Sequence, residues 1–297
     1  MEIVDVVIPT MGRPSLRAAV ESVRAQTGVV VRLHVVLDDP AAEAEVAPLL
    51  RDAELIVTPG RTGGANARNL GLRASTGRWV AYLDDDDWWE PAKLSVQLAA
   101  MEASASAVGL CGAVFHETGG GTRLLPRSEP VSTAFADYIV ARPDLTFGRS
   151  LVQSSCLMVD RSRALDLEWD VTMPKHQDWD YALRLVRSGA HVGFAPQPLV
   201  HIQQGSSGSI SNLRAWEASR EWFERHSDAM SSRGRGDFVA SHILRSALAS
   251  RNAVGVRYAL GHLLRSRPHA AAVITGLSGL KDALTSRTVS TDGLRAR

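Results

Sequence analysis

Between Tyr82 and Pro91 the chain reads Tyr82-Leu83-Asp84-Asp85-Asp86-Asp87-Trp88-Trp89-Glu90-Pro91. Four adjacent carboxylates repel one another, and keeping them between an apolar segment and two tryptophans is costly unless a cation compensates them. A hard divalent ion held by one or two carboxylates and by substrate phosphates supplies that compensation. A solvated acidic loop is the alternative, and the flanking apolar residues argue against it. A second acidic pair, Asp38-Asp39, precedes Pro40. At the end of a strand it could accept hydrogen bonds from a nucleobase or ribose, although an Asp-Asp-Pro turn explains these residues by themselves. A third stretch, Gly63-Gly64-Ala65-Asn66-Ala67-Arg68-Asn69-Leu70-Gly71, leads glycines into a helical pattern that carries an arginine. Glycine allows close backbone approach, a helix start favours anions, and a guanidinium can grip a phosphate with two hydrogen bonds; a helix packed by small residues with Arg68 in solvent is the competing reading. A fourth, His176-Gln177-Asp178-Trp179-Asp180-Tyr181, opens another helical pattern, where Asp178 or Asp180 could simply cap the helix.

The surrounding pattern predicts what would position these groups. Ile3 to Ile8 is an apolar, β-branched run interrupted by Asp5 and stopped by Pro9, as in a buried parallel strand. A helix over Ser15–Gln26, a strand over Val30–Leu37, a helix over Ala41–Arg51 and a short strand over Glu54–Val57 extend it to β-α-β-α-β, the signature of an open doubly wound sheet. Such sheets bind ligands beyond the carboxyl ends of their strands. Further on, helices are expected over Ala65–Ala74, Pro91–Ala103 and Asp178–Ser188, and strands over Trp79–Leu83, Val108–Phe115, Gln153–Val159 and Phe194–Ile202. Gly119-Gly120-Gly121-Thr122-Arg123-Leu124 resembles the phosphate loop of sugar-nucleotide pyrophosphorylases but stands in the wrong place for it, so a turn between strands is expected. After the Gly/Ser-rich stretch 205–211, Leu213–Arg225, Phe238–Ala249 and Ala253–Leu264 read as helices, which suggests a division into residues 1–211 and a helical region 212–297.

The ordered set Val6-Val7-Ile8-Pro9-Thr10 with Arg13, Val36-Leu37-Asp38-Asp39, Ala67-Arg68-Asn69-Leu70-Gly71 and Leu83-Asp84-Asp85-Asp86-Asp87 before Pro91 resembles a family 2 glycosyltransferase of the GT-A fold over roughly the first 210 residues. That resemblance implies an α/β protein with a Rossmann-like, doubly wound mixed sheet and a C-terminal helical extension. It also implies inverting transfer of a sugar from a nucleoside diphosphate donor to a hydroxyl acceptor, whether saccharide, lipid-linked or small molecule. Pro9, Thr10 and Arg13 would lie by the nucleotide, Asp38 would meet the base, and Arg68 would contact base or phosphate. Asp84-Asp85-Asp86 matches the family's D-x-D pattern, so Asp86 would hold Mn2+ or Mg2+ with Asp84 and Asp85 around ribose and metal-bound water; a register shift by one within Asp84 to Asp87 stays open. Asp178 matches the family's catalytic base, with Gln177 where a glutamate is usual. His201, before a Gly/Ser loop, would touch the metal or a phosphate. The second strand ends Asp-Asp-Pro instead of the family's Asp-Asp-Gly-Ser.

The whole-chain numbers agree with a folded domain and exclude several classes. A chain of 297 residues that is 45% hydrophobic can bury a substantial core. No apolar run approaches a spanning helix and no basic leader precedes Ile3, so a cytoplasmic protein is expected. Cys111 and Cys156, both in apolar runs, suit buried thiols rather than a disulfide framework or a zinc site. The net charge of +1 hides an asymmetry: 14 Lys or Arg against 7 Asp or Glu from Leu213 onward, and 19 against 25 before it. No nucleic-acid partner is expected. The basic C-terminal helices could pack on the catalytic part, form a homodimer surface or lie peripherally on the inner face of a membrane. A nucleotidyltransferase making the activated sugar and a non-catalytic sugar-nucleotide-binding module are the competing functions.

Overall fold

The structure, a computed structural model, describes residues 1–203 and 215–284. Its two compact units are interleaved along the chain: the first comprises the described residues of Met1–Ser132, Ser150–Thr172 and Gln177–Ser207, the second those of Thr133–Arg149, Met173–His176 and Gly208–Arg297.

In the first unit, β1 (Ile3–Thr10) runs parallel to β2 (Val30–Leu37) on one side and β4 (Trp79–Tyr82) on the other, and β2 pairs in parallel with β3 (Glu54–Val57). The predicted β-α-β core is therefore present, with α1 (Leu16–Arg24) between β1 and β2. Residues 40–49 form only a 3-10 turn, the one-turn helix α2 (Glu43–Val46) and a second 3-10 turn, where a continuous helix was expected; Pro48 lacks the amide a longer helix needs at that point. α3 (Gly64–Ala74) follows Gly63, whose φ of 90° suits only glycine. Two turns on, Gly71 faces Val7 so closely that a methyl group would overlap the valine side chain, so the helix can lie on β1 only with glycine there.

Beyond β4 the sheet becomes mixed. β5 (Trp88–Trp89), α4 (Lys93–Ala103), β6 (Val108–His116), β7 (Thr122–Leu125), β8 (Met158–Asp160), α6 (Arg161–Leu167), α7 (Gln177–Arg187) and β9 (Val192–Gln203) complete the unit, while α5 (Phe135–Val140) belongs to the second. The strand order is β3-β2-β1-β4-β8-β6-β9-β5, with β7 on β6. β8 is antiparallel to β4 and β6, β5 is antiparallel to β9, and β6 and β9 are parallel. The triple glycine 119–121 is the turn of the β6–β7 hairpin, as expected. Residues 154–156 make a 3-10 turn where strand was expected, leaving only Met158–Asp160 extended. Both cysteines are buried and free.

Asp5, buried in the middle of β1, is one of the charged groups inside this unit. It accepts hydrogen bonds from the Gly77 and Thr76 amides at 2.5 and 3.2 Å and meets His34 Nε2 at 2.8 Å, whose Nδ1 meets Glu54 at 2.8 Å. Three parallel strands are thereby tied by one polar chain, which satisfies groups that burial would otherwise penalise.

The second unit is helical. Besides α5 it holds α8 (Trp216–His226), α9 (Ser232–Phe238) running through a π-helical turn at Val239–Leu244 into α10 (Arg245–Ala249), then α11 (Ala253–Leu263) and α12 (Ala270–Leu277), with residues 279–284 again helical. Trp222, Phe223 and Phe238 pack ring on ring at its centre. Buried Asp237 gathers the Arg142 amide at 2.8 Å, the His269 amide at 2.7 Å and His269 Nδ1 at 2.6 Å. The helix expected to begin at Phe238 begins at Ser232, capped by Ser231 Oγ on the Gly234 amide at 3.0 Å, despite the glycines that weaken its pattern.

Candidate active site

Parallel strands β1, β2 and β4 end at one edge of the sheet, and the residues singled out from the sequence follow those ends: Pro9 and Thr10 close β1, Asp38 follows β2, and Asp84 follows β4. Thr10 Oγ1 donates to Asp85 Oδ2 at 2.6 Å and accepts from the Gly12 amide at 2.9 Å. Arg13, partly exposed, reaches Asp85 at 3.3 Å and Asp86 at 3.1 Å. The first strand and the acidic turn are thus joined by side chains more than seventy residues apart in sequence.

The four aspartates have four different environments. Asp84 accepts from Arg68 at 2.6 Å and from Ser154 Oγ at 2.7 Å. Asp85 is buried on Thr10 and Arg13, and loss of water raises its carboxyl above the usual range against the pull of Thr10 and Arg13. Asp87 is buried as well: Ser155 Oγ donates at 2.6 Å, Gln153 at 2.8 Å and the Gln203 amide at 3.0 Å, and burial with the neighbouring Asp84 charge pushes its carboxyl up to about 7. Asp86 meets Arg13 through one oxygen only; its other oxygen has no hydrogen-bond partner among the described residues. Both oxygens of Asp87 hold the turn together, which leaves Asp86 as the carboxylate with an unengaged oxygen among the described residues.

This set fits a divalent ion of modest protein coordination. Two arginines, Arg13 and Arg68, face four carboxylates, so negative charge is in excess, and no three His, Cys, Asp or Glu side chains among the described residues converge into a self-sufficient cage. An ion here would take oxygen from Asp86 and the remainder of its shell from water and phosphate, the manner in which Mg2+ and Mn2+ bind with a nucleotide.

Arg68 is ion-paired with Asp84 of this cluster, and its charge is also felt by Asp178. The guanidinium is buried, lies 4.8 Å from the centre of the Trp169 ring, and touches Ser154 Oγ at 3.3 Å as well as Asp84. Asp178 lies in the first turn of α7. Loss of water raises its carboxyl to about 6; the Arg68 charge and the Ser154 amide pull downward, and the Asp84 charge pushes upward. A carboxylate poised near neutrality at the start of a helix, ringed by a cation and an anion, has the properties of a general base. Asp180, the other acid of this turn, is fully buried and paired with Arg184 at 2.7 Å, so its work is structural. Tyr181 is core, stacked on Trp169 at 4.2 Å, with its hydroxyl 3.1 Å from that of Tyr82.

Two of the expected site residues are engaged differently from expectation. Asp38 is buried and its oxygens are filled by the loop that follows β3: Thr58 Oγ1 at 2.5 Å, the Thr62 amide and hydroxyl at 2.9 and 2.6 Å, and the Gly63 amide at 2.8 Å. Burial alone would raise its carboxyl, but these donors outweigh burial and lower it. It therefore shapes the glycine loop that leads into α3. His201, on β9, has Nε2 2.8 Å from Glu90 and Nδ1 3.0 Å from His116, and is stacked on Trp88 at 4.8 Å. With both ring nitrogens engaged, it is not brought to the acidic turn as a ligand. Gln153, Ser154, Ser155 and Trp169, which hold Asp84, Asp87 and Arg68, were not anticipated; the polar triplet 153–155 heading an apolar run was the available signal.

A mixed sheet whose parallel strands end in an acidic turn, with a raised carboxylate across from it, defines the GT-A class of nucleotide-sugar enzymes. The sequence matches the family description "Glycosyl transferase family 2" over residues 5–162, and the chain belongs to that family. Amylovoran biosynthesis glycosyltransferase AmsB of Erwinia amylovora is 25% identical over 183 residues, covering 56% of this chain and 58% of that protein. The Escherichia coli protein named UDP-Glc:alpha-D-GlcNAc-diphosphoundecaprenol beta-1,3-glucosyltransferase WfaP is 31% identical over 107 residues, covering 34% of this chain and 42% of its own. The matches thus span about half the length of these relatives. Among solved structures, Staphylococcus aureus TarS 1-349 in complex with UDP-GlcNAc superposes with a TM-score of 0.59 at 12% identity, covering 100% of this chain and 93% of that one. Mannosyltransferase PcManGT from Pyrobaculum calidifontis, in complex with GDP-Man and Mn2+, gives 0.53 at 17% identity, covering 98% and 79%. These structures share the fold.

Proposed function

We propose that this chain is an inverting, divalent-metal-dependent glycosyltransferase that moves a sugar from a nucleoside diphosphate donor to an acceptor hydroxyl. The observation that supports the reading is Arg68, which donates to Asp84 of the acidic turn at 2.6 Å while its charge acts on the near-neutral carboxyl of Asp178. In the reaction the acceptor oxygen forms a bond to the anomeric carbon while the bond from that carbon to the diphosphate oxygen breaks, and the electron pair leaves with the diphosphate. Asp178 takes the acceptor proton on the face opposite the departing group. Arg13 and Arg68 orient Asp84, Asp85 and Asp86 at the donor side, and the Asp38-anchored loop presents Gly63 and Gly64 to the nucleotide. An ion on Asp86 would neutralise charge on the diphosphate.

The relative named above as using UDP-Glc with a diphosphoundecaprenol acceptor, and the UDP-GlcNAc complex of TarS, make uridine diphosphate sugars and lipid-linked saccharides the first substrates to try. The test is a panel of nucleoside diphosphate sugars with Mn2+ or Mg2+, following thermal stabilisation and slow release of nucleoside diphosphate. The expected result is a metal-dependent response to one donor that Asp86→Ala abolishes. Silence towards every donor, with pyrophosphate released from a nucleoside triphosphate and a sugar phosphate, would make the protein a nucleotidyltransferase instead.

A further inference from the structure

The second unit carries a surface that the chemistry of the first does not use. α11 and residues 279–284 flank a groove of about 870 Å³ lined by Leu248, Val256, Leu260, Leu280 and Leu284, with Arg251 and Arg257 also on its walls. Around it leucines face solvent: Leu260 and Leu280 are 51% exposed, Leu284 67% and Leu264 88%. The spacing explains this. Val254 and Leu260 on α11 and Leu264 just after it are exposed at helical spacing, and Ile274, Leu277, Leu280 and Leu284 recur every three or four residues further on, so each segment keeps outward apolar side chains after its inner face is buried. An exposed apolar patch rimmed by polar groups marks an interaction surface.

Charge selects the partner. Residues 251–284 hold five basic side chains, Arg251, Arg257, Arg265, Arg267 and Lys281, against the single acid Asp282, which is itself paired with Arg245 at 3.1 Å. A second copy of this face would bring like charges together in any two-fold contact. An anionic lipid surface matches both properties at once, apolar side chains entering the acyl boundary and guanidiniums meeting lipid phosphates.

We propose that this face docks the protein on an anionic bilayer, the groove between α11 and residues 279–284 taking up part of a lipid chain. The inference does not depend on the transferase reading, because binding requires no turnover. The full chain is floated with vesicles of phosphatidylcholine alone and with about 30% phosphatidylglycerol, at low and high salt. Recovery with the anionic vesicles should be roughly tenfold higher, and the paired variant Leu260→Glu/Leu280→Glu should lose it at an unchanged melting midpoint. Arg257→Glu/Arg265→Glu, also at exposed positions, should lose the preference for phosphatidylglycerol and the salt sensitivity. Equal recovery of wild type and both variants, or no flotation with a dimer that Leu280→Glu dissociates in sedimentation equilibrium, would overturn the proposal.

Discussion

At the scale of residues, the site works by giving chemically identical side chains unlike surroundings. Four consecutive aspartates become a salt-bridged Asp84, a buried Asp85, an Asp86 with one oxygen left unengaged and a structural Asp87, because each meets a different set of partners. Asp178 is raised to about 6 by loss of water, with Arg68 holding it from rising further. As a base it must be ionised, so turnover should fall as pH drops through about 6 and level off above it. Asp178→Asn should lower kcat by about 10²- to 10⁴-fold with donor affinity preserved, as measured by transfer rate and by calorimetric donor titration. Arg68→Gln tests the cause of the shift: removing that cation should move the acidic limb of the pH–rate profile to higher pH. An unmoved limb would mean that Arg68 does not govern the titration of the base.

At the scale of elements, β1, β2, β4, α1 and α3 could be read directly, since buried parallel strands are apolar throughout and glycine, proline and aspartate punctuate their ends. What the sequence concealed was long-range pairing. The Ser154–Cys156 turn passed for a strand because its neighbours are apolar; Ser154 and Ser155 instead serve Asp84 and Asp87 about seventy residues away. Asp38 was legible as important but not in its role, since the donors that fill it arrive from a loop after β3. His34 is the same lesson in the core. Burial alone would lower its pKa, but Asp5 and Glu54 outweigh burial and raise it, while His34 and the Gly77 amide outweigh burial at Asp5 and lower that carboxyl. The stabilisation from His34 is complete below its unfolded pKa of about 6.5 and fades as pH rises through the raised folded value; that from Asp5 is complete above about 3.9 and fades as pH falls through its lowered value. His34→Gln should therefore cost most between these limits, about 3 kcal/mol in the manner of a broken buried pair, and measurably less once pH exceeds the raised folded value. Urea midpoints of the two proteins across pH would show it, and a pH-independent difference would contradict the ionic account.

At the scale of the whole molecule, charge is distributed against the proposed substrate. The chain before Leu213 carries 19 basic against 25 acidic residues, yet the proposed donor is an anionic diphosphate, and the edge that would receive it presents four aspartates. Arg13 and Arg68 are already committed to those acids, so they organise the carboxylates more than they attract the donor. No helix among the described residues is long and apolar enough to cross a membrane. On the proposed reading an ion that arrives with the nucleotide supplies the missing attraction, and this yields a prediction in two arms. With Mn2+ in excess and donor at about 100 times its dissociation constant, binding should stabilise the fold by about 2.7 kcal/mol, visible as a rise in the melting midpoint. With the metal chelated, the same donor should bind at least about tenfold more weakly, and its residual affinity should increase with added salt as repulsion from the acidic edge is screened. Residual affinity that instead falls with salt would mean that the protein's own arginines attract the diphosphate, and the ion would then serve only in the departure of the leaving group.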